Sequence, residues 1–483
     1  MDISRRALLY PALSTLIMLF ACLDESWTRQ RVWGAMQAFA GVFVLVMPDR
    51  AMSYQSACAT LFDWAGGRFG WSSTPDPSGF QRARKRVTAE DTKRVWTGVS
   101  GWAQRHLKPG RELVPGKIIV GIDGTTLHTP RLRSTIRAYT LIRDILGTAL
   151  SHYPQAMLLS AWDVVKRVPI TWELTSLKVG ERSGLLRILS RLPAQAVLAL
   201  DRGYPGRDVL GEIVASGRNF VVRMVSAEAG SWKAVAEFIA SGKRSAIIEL
   251  VLGTGKAKRT VRVRLILRTF AVGRPKRNQR RESMVVMTSL TDHAISDDTI
   301  LKIYAARWGV ETLYRELKSL AHIEGWHGTT KALLDQEMTA IRCWFAVTAV
   351  IAQAAEGESV APDGSYRRIN TRRVFDAIST IMESLFLAAA PPENIAEWLI
   401  AGQTKPFDES NDGNRKLDWG DLPHENHCIP VRGKSRKSES LTQRHCGPGT
   451  ANLLVDTVDS SWDRPSTALG TDPLPRLGVQ VDR

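Results

Sequence analysis

Long apolar runs are scarce in this 483-residue chain. The two most apolar stretches, Ala7–Cys22 and Gln37–Met47, are both shorter than the roughly 20 residues that a membrane-spanning helix needs. Pro11 interrupts the first, which follows Arg5-Arg6 in the manner of a signal peptide but leads to no small-residue cleavage site. Both are read as buried helices of an N-terminal bundle, which argues against export or a membrane anchor and for a cytoplasmic, nucleoid-associated protein; a membrane-associated reading would rest on residues 7–47 alone. Cysteine is also sparse. Cys22, Cys58, Cys343, Cys428 and Cys446 are scattered, odd in number and free of any CxxC pair. That usage excludes a disulfide framework and fits a reducing compartment. The tail residues His424, His427, Cys428, His445 and Cys446 do not follow a zinc-site spacing. Acidic residues are outnumbered, 48 against 65 lysines and arginines, for a net charge of +17. The excess is spread along the chain, which favours a polyanionic partner, nucleic acid first.

What is present changes character along the chain. Residues 1–110 read as mostly helical. They include a basic cluster, Ser78–Val87 (SGFQRARKRV), leading into a helix over Ala89–Leu107. Arg82, Arg84, Lys85 and Arg86 are candidate contacts to a DNA backbone. From Lys117 the pattern becomes that of an α/β sheet. KIIVGID is a β-branched, apolar run ending on Asp123, and AVLALD is a second such run ending on Asp201. Strand-like segments at Gln155–Val164, Pro169–Leu177 and Phe220–Val225, with helices at Glu181–Leu192 and Arg207–Ser216, complete an α/β core. Residues 227–290 read as an inserted, mainly β subdomain whose basic loop, Arg274–Arg281, separates two strands.

The stretch Ile303–Leu320 is predicted to be one helix. On a helical wheel with Tyr304 at zero, Arg307 falls near ~300°, Glu311 near ~340° and Lys318 near ~320°. A phenol, two cations and a carboxylate share one stripe, while Glu316 stands roughly 140° from Glu311. Taken alone, this stripe could be a solvated face with an Arg307–Glu311 pair. Two apolar strands that each deliver an aspartate favour a three-carboxylate cluster instead, because lone carboxylates at a core edge are costly. Three hard oxygen donors suit Mg²⁺ or Mn²⁺. Helical patterning resumes at His327–Gln353 and continues to about residue 402. Residues 405–483 are polar, rich in Pro, Gly and Ser, and expected to be disordered.

These motifs resemble those of the IS4-type insertion-sequence transposases. The family signature of Tyr, two residues, Arg, three residues, Glu, six residues, Lys is met by Tyr304, Arg307, Glu311 and Lys318. Asp123 in DGTT and Asp201 in DRGY resemble the first two catalytic acids, and RARKR and Gln336-Glu337 also look familial. The resemblance covers roughly residues 78–355. It implies an RNase H-like catalytic core (111–355) with a β-rich insertion, a helical N-terminal DNA-binding domain (1–110) and a helical C-terminal region (356–404) before the tail. It further implies Asp123, Asp201 and Glu311 as catalytic acids holding two Mg²⁺ or Mn²⁺ ions. Tyr304, Arg307 and Lys318 would grip phosphates. The partners would be double-stranded DNA, both terminal inverted repeats and target, with a homodimer on the DNA and no membrane. The alternatives are an RNase H-like nuclease that cuts without joining, and a degenerate remnant that only binds DNA. His128 is read as structural, and Trp232 as no firm base-stacking residue.

Overall fold

The computed structural model describes residues 32–356, apart from short stretches at 49–51, 68, 108–111, 144–147, 225–231 and 275–276, together with Leu23, Val374 and Phe375. The expected helical region 356–404 and the tail lie almost wholly outside these residues, as does the apolar run 7–22.

Among the described residues four helices come first: α1 (Ala35–Leu45), α2 (Tyr54–Ala65), α3 (Pro77–Arg84) and α4 (Ala89–His106). Their ends are written in the sequence. Ser53, Asp76 and Thr88 each accept a hydrogen bond from the backbone N–H three residues on, and Pro77 opens α3. The apolar run that becomes α1 is buried nearly throughout. Its Phe43 stacks on Trp344 at 3.9 Å between ring centroids, and the Trp344 indole N–H donates to the Phe43 carbonyl at 2.9 Å. Trp344 belongs to the last described helix, α11 (Lys331–Glu356), which packs between these N-terminal helices and the sheet edge. Among the described residues no helix is long and apolar enough to cross a membrane.

The centre is one mixed sheet of eight strands: β1 (Ile118–His128), β2 (Gln155–Asp163), β3 (Val168–Ser176), β4 (Ala196–Leu200), β5 (Asn219–Arg223), β6 (Ser245–Leu252), β7 (Arg259–Arg274) and β8 (Arg277–Thr288). Their spatial order is 3-2-1-4-5-8-7-6. β1, β2 and β3 form an antiparallel meander, while β4 and β5 run parallel to β1. This is the RNase H-like arrangement that the resemblance implied. Helix α5 (Arg133–Ala138) lies in the β1–β2 connection. One face of the sheet is covered by α6 (Glu181–Ile188), α7 (Arg207–Ala215) and α8 (Lys233–Ala240). The other is covered by α9 (Asp297–Ala306) and α10 (Gly309–Ser319). β4 is a continuous apolar run because both of its faces are covered.

Three elements differ from the sequence expectation. β1 does not stop at Asp123. It continues to His128 because β2 goes on pairing with it, with Asp123 opposite Ser160. The inserted strands join the central sheet, β8 pairing antiparallel with β5, so the insertion extends the core. Of the stretch 274–281, expected as a basic loop, Arg274 ends β7 and residues 277–281 belong to β8, with Arg274 paired to Arg277. Buried Arg264 of β7 ties this added layer to the chain that leads into α9, donating to the Ile295 carbonyl at 2.6 Å and the Asp292 carbonyl at 2.5 Å.

Candidate active site

Asp123 and Asp201 meet because of strand register. β1 and β4 pair in parallel from Ile118↔Ala196 to Gly121↔Ala199, and the same offset two residues on sets Asp123 level with Asp201. β4 ends at Leu200, so beyond Gly121 that edge of β1 has no strand beside it. The two carboxylates stand in this opening. Each accepts a nearby backbone N–H: Asp123 Oδ1 that of Gly124 at 3.0 Å within β1, and Asp201 Oδ1 that of Gly203 at 2.8 Å in the turn after β4.

Glu311 arrives from the face that carries α10. The predicted single helix over 303–320 is broken here into α9 and α10. Arg307, Trp308 and Val310 N–H groups bond three residues back, to Tyr304, Ala305 and Arg307 carbonyls. Such 3₁₀ turns advance about 120° per residue where an α-helix advances about 100°. The wheel drawn across the break therefore does not hold for Lys318, which lies exposed near the end of α10. Within α10 the phases of Glu311 and Glu316 still differ as expected.

A glycine sets how close α10 comes. A Cβ on Gly121 would lie 2.5 Å from Val310 Cγ2 and 2.7 Å from Val164 Cγ1. Only the missing side chain lets Val310, and with it Glu311, seat against β1. Tyr314 locks the same contact one turn on: its buried hydroxyl meets Ser160 Oγ at 2.8 Å and donates to the Asp123 carbonyl. Gly121→Ala is expected to lower stability by about 1–3 kcal/mol through overpacking. Urea unfolding measures it, and an unchanged midpoint would show that α10 is not held by this contact.

Electrostatics mark the spot. Burial pushes the Asp123 carboxyl up to about 7, reinforced by the charges of Glu181 and Asp201 and opposed by Arg307. Arg307 is only 2% exposed, and its guanidinium reaches Glu311 Oε1 at 3.2 Å. Burial disfavours its charge, yet Tyr304, Asp123, Glu311 and Asp201 outweigh that and raise its pKa. The guanidinium is thus the counter-ion of the acids. Tyr304, also 2% exposed, packs in the core beneath it, 5.9 Å from the guanidinium carbon to the ring centroid. Tyr304 and Arg307 were expected on a phosphate-gripping surface; both are instead buried, Tyr304 in the core with Ile300 and Ile303, and Arg307 in the field of the acids.

The donor set fits a hard divalent cation, being all carboxylate oxygen. Among the described residues no three His, Cys, Asp or Glu side chains converge closely enough to hold an ion.

The basic cluster is divided. Arg82, Lys85 and Arg86 are exposed. Arg84, expected on DNA, is instead 1% exposed and pairs with Glu337 of α11 at 2.7 Å. Its position on α3 points it inward, toward Tyr54 and α11. His128 pairs with Glu324 at 3.2 Å. Trp232 precedes α8, with the Arg207 guanidinium carbon 4.7 Å from its ring centroid. Sequence reasoning missed Tyr314, Tyr204 and Glu181. The first two are aromatic residues that read as ordinary core, and the third is one of many helix-opening acids.

Residues 115–344 match a family described as the transposase DDE domain. No curated protein matches the chain. Among solved structures, one that is similar is a piggyBac transposase synaptic complex with hairpin DNA. It is 12% identical with a TM-score of 0.40, over 90% of this chain and 87% of that one.

Proposed function

We propose that this chain is a DNA transposase of the IS4 type, a reading supported by the match of residues 115–344 to the transposase DDE domain. It cuts at the terminal inverted repeats of its element and joins the freed ends to target DNA. The observation that supports the reading is the register of β1 and β4, which levels Asp123 with Asp201, with Arg307 in the field of both and of Glu311.

Asp123, Asp201 and Glu311 are the proposed catalytic acids and the ligands of two Mg²⁺ or Mn²⁺ ions. When bound, such ions activate an attacking oxygen and stabilise a leaving one in an in-line phosphoryl transfer. In cleavage a water oxygen bonds to phosphorus, its proton leaves to solvent, and the P–O3′ bond breaks to give a protonated 3′-hydroxyl. In joining, that 3′-hydroxyl attacks a target phosphate and displaces another 3′-oxygen, so bonds made equal bonds broken.

The chain's own residues supply position and charge. Gly121 and Tyr314 fix α10 against β1, holding Glu311 near Asp123. Arg307 balances the carboxylates from beneath. Lys318, exposed on the same helix, is placed to take a phosphate of the bound strand. Arg82, Lys85 and Arg86 are the proposed backbone contacts of the N-terminal helices. Two DNA ends held together suit a homodimer on the DNA.

The test is a cleavage assay on a labelled duplex carrying the terminal repeats that flank the gene, with Mg²⁺ or EDTA. Asp123→Ala, Asp201→Ala and Glu311→Ala are each expected to cut about 10²–10³-fold more slowly, the scale of losing one charge-stabilising group. Glu316→Ala keeps most activity, because it stands away from Glu311 around α10. Equal loss in Glu316→Ala and Glu311→Ala, both folded, would sink the assignment. Cutting without joining identifies a nuclease, and binding without cutting identifies a DNA-binding remnant.

A further inference from the structure

Exposed apolar side chains gather in one segment. Of the five large hydrophobic residues that are exposed among the described ones, three, Leu132, Leu150 and Tyr153, lie in the β1–β2 connection. Residues 129–154 also hold four arginines, Arg131, Arg133, Arg137 and Arg143, against one acid. All four arginines are exposed, and Arg133 and Arg137 stand one turn apart on α5. Single hydrophobics scattered over a surface need no explanation, but three within one basic segment do.

The place of the segment follows from β1. That strand runs on from Asp123 to His128, roughly 17 Å at ~3.4 Å per residue. Beyond Gly121 no strand flanks it on the β4 side, so β1 and β2 carry the connection outward from the edge where Asp123 and Asp201 stand. The connection is braced there. The Thr129 N–H donates to the Pro154 carbonyl at 2.8 Å, the Trp326 indole N–H to the His128 carbonyl at 2.6 Å, and the His128 N–H to Glu324 Oε1 at 2.7 Å. Tyr153 is held between two imidazoles, 4.7 Å from His152 at 85° and 6.4 Å from His128 at 73°. Arg131 Nη1 donates to His152 Nδ1 at 2.9 Å and steadies that histidine. Tyr153 nevertheless remains 49% exposed.

A ring in fixed orientation, half open to solvent and carried on a segment of exposed arginines, has the chemistry of a stacking platform for a nucleobase. Every base offers a π-face, and arginines take the phosphates beside it. A base reaches such a ring only when it has left the duplex stack, as at a frayed or cut end. A two-fold interface between copies of this chain would set the same arginines against one another, which like charges disfavour.

We infer that the β1–β2 connection is a contact surface for unpaired DNA, with Tyr153 stacking on a base and the arginines of the segment, Arg133 and Arg137 first, on the phosphates. This rests on the reading of the chain as a DNA transposase. It adds a base-binding contact apart from the three acids and from the basic N-terminal helices.

The experiment measures binding of the full chain to two fluorescent DNA probes by anisotropy. One is a blunt duplex carrying the terminal repeats that flank the gene, and the other is the same duplex with a short single-stranded extension. Tyr153→Ala is expected to weaken binding of the extended probe about 5–150-fold, the range for losing one base–aromatic stack, and to leave the blunt duplex unchanged. Tyr153→Phe keeps the ring and with it the wild-type affinity for both. The Arg133→Ala, Arg137→Ala double variant is expected to weaken the extended probe and to lower the salt dependence of its binding. Because Tyr153 is exposed, its substitutions leave the core intact, which the melting temperature checks. If Tyr153→Ala binds both probes as the wild type does, or loses both equally, the stacking inference is overturned while DNA binding stands. If it alters self-association and not DNA affinity, the surface is a protein interface and the inference is likewise overturned. If the wild type binds neither probe, the DNA reading fails and the inference falls with it.

Discussion

Glu337→Ala is expected to cost about 3–5 kcal/mol, the scale for breaking a buried ion pair by removing one partner. Glu337 and Arg84 are each 1% exposed at the side chain and 2.7 Å apart. The pair is the centre of a small polar knot. Arg84 also donates to the Tyr54 hydroxyl at 2.7 Å and the Leu333 carbonyl at 3.2 Å, and Glu337 Oε2 accepts from the His327 N–H at 3.1 Å. Beside it, Gln336 donates to the carbonyls of Arg84 at 2.8 Å and Val87 at 3.1 Å. Deleting the carboxylate leaves a guanidinium in the core with no opposite charge. The check is the urea midpoint of the full chain. An Arg84→Met, Glu337→Leu double variant is expected to recover most of the loss, because replacing both ions removes the desolvation cost as well as the attraction. A single Glu337→Ala as stable as the wild type would mean that water reaches the knot.

This pair bears on how the basic cluster is understood. In sequence, RARKR reads as one set of DNA contacts, yet its middle arginine is internal wiring between α3 and α11. Arg84→Ala would therefore impair DNA binding by unfolding the N-terminal helices. Arg82, Lys85 and Arg86 would act on affinity through salt-dependent contacts. The distinction is legible only in part. Gln336-Glu337 inside an otherwise apolar helix is a flag, since acids are almost never fully buried without a partner. Naming the partner takes the fold, because 252 positions separate Gln336 from the Arg84 carbonyl it caps.

The core was more readable than the site. Apolar runs gave β1 and β4, because residues buried on both faces leave no pattern but hydrophobicity, and the aspartates read at the ends of those runs, Asp123 and Asp201, lie level at the opening beside β4. The helix break at Arg307 was not readable. Nothing in IYAARWGVETL forbids a continuous helix, and the 3₁₀ turns arise where α10 settles on Gly121. Glu181 was hidden for a different reason. The strand residue it lies against, Gly124, is 57 positions away, so neither periodicity nor spacing joins them. The stretch around Arg274 and Arg277 misled because arginine-rich, turn-like composition also occurs at the ends of long antiparallel strands.

Asp123→Asn is expected to raise the melting temperature by several degrees at pH 8 in the presence of a chelator, and to lose that advantage in acid. An unfolded chain ionises this carboxyl near ~3.9, whereas burial, Glu181 and Asp201 push it up to about 7 in the fold. Between those values the folded protein holds a proton that the unfolded chain has released. Stability therefore falls as pH rises through this window, and above about pH 7 the full cost of the charge is carried. Asparagine carries no such charge and can still accept the Gly124 N–H. Because the side chain is half-buried and Arg307 offsets part of the field, about 1–3 kcal/mol is a fair scale for the gain. Below about pH 4 both proteins are neutral at this position and the difference closes. Mn²⁺ should reverse the ranking at pH 8 by stabilising only the wild type, through binding to the folded state. A melting-temperature difference that is flat from pH 4 to pH 8, or an Asp123→Asn protein less stable at pH 8, would show that the site does not hold Asp123 under strain. The acid would then be an ordinary exposed carboxylate, and the case for it as a poised metal ligand would rest on its position alone.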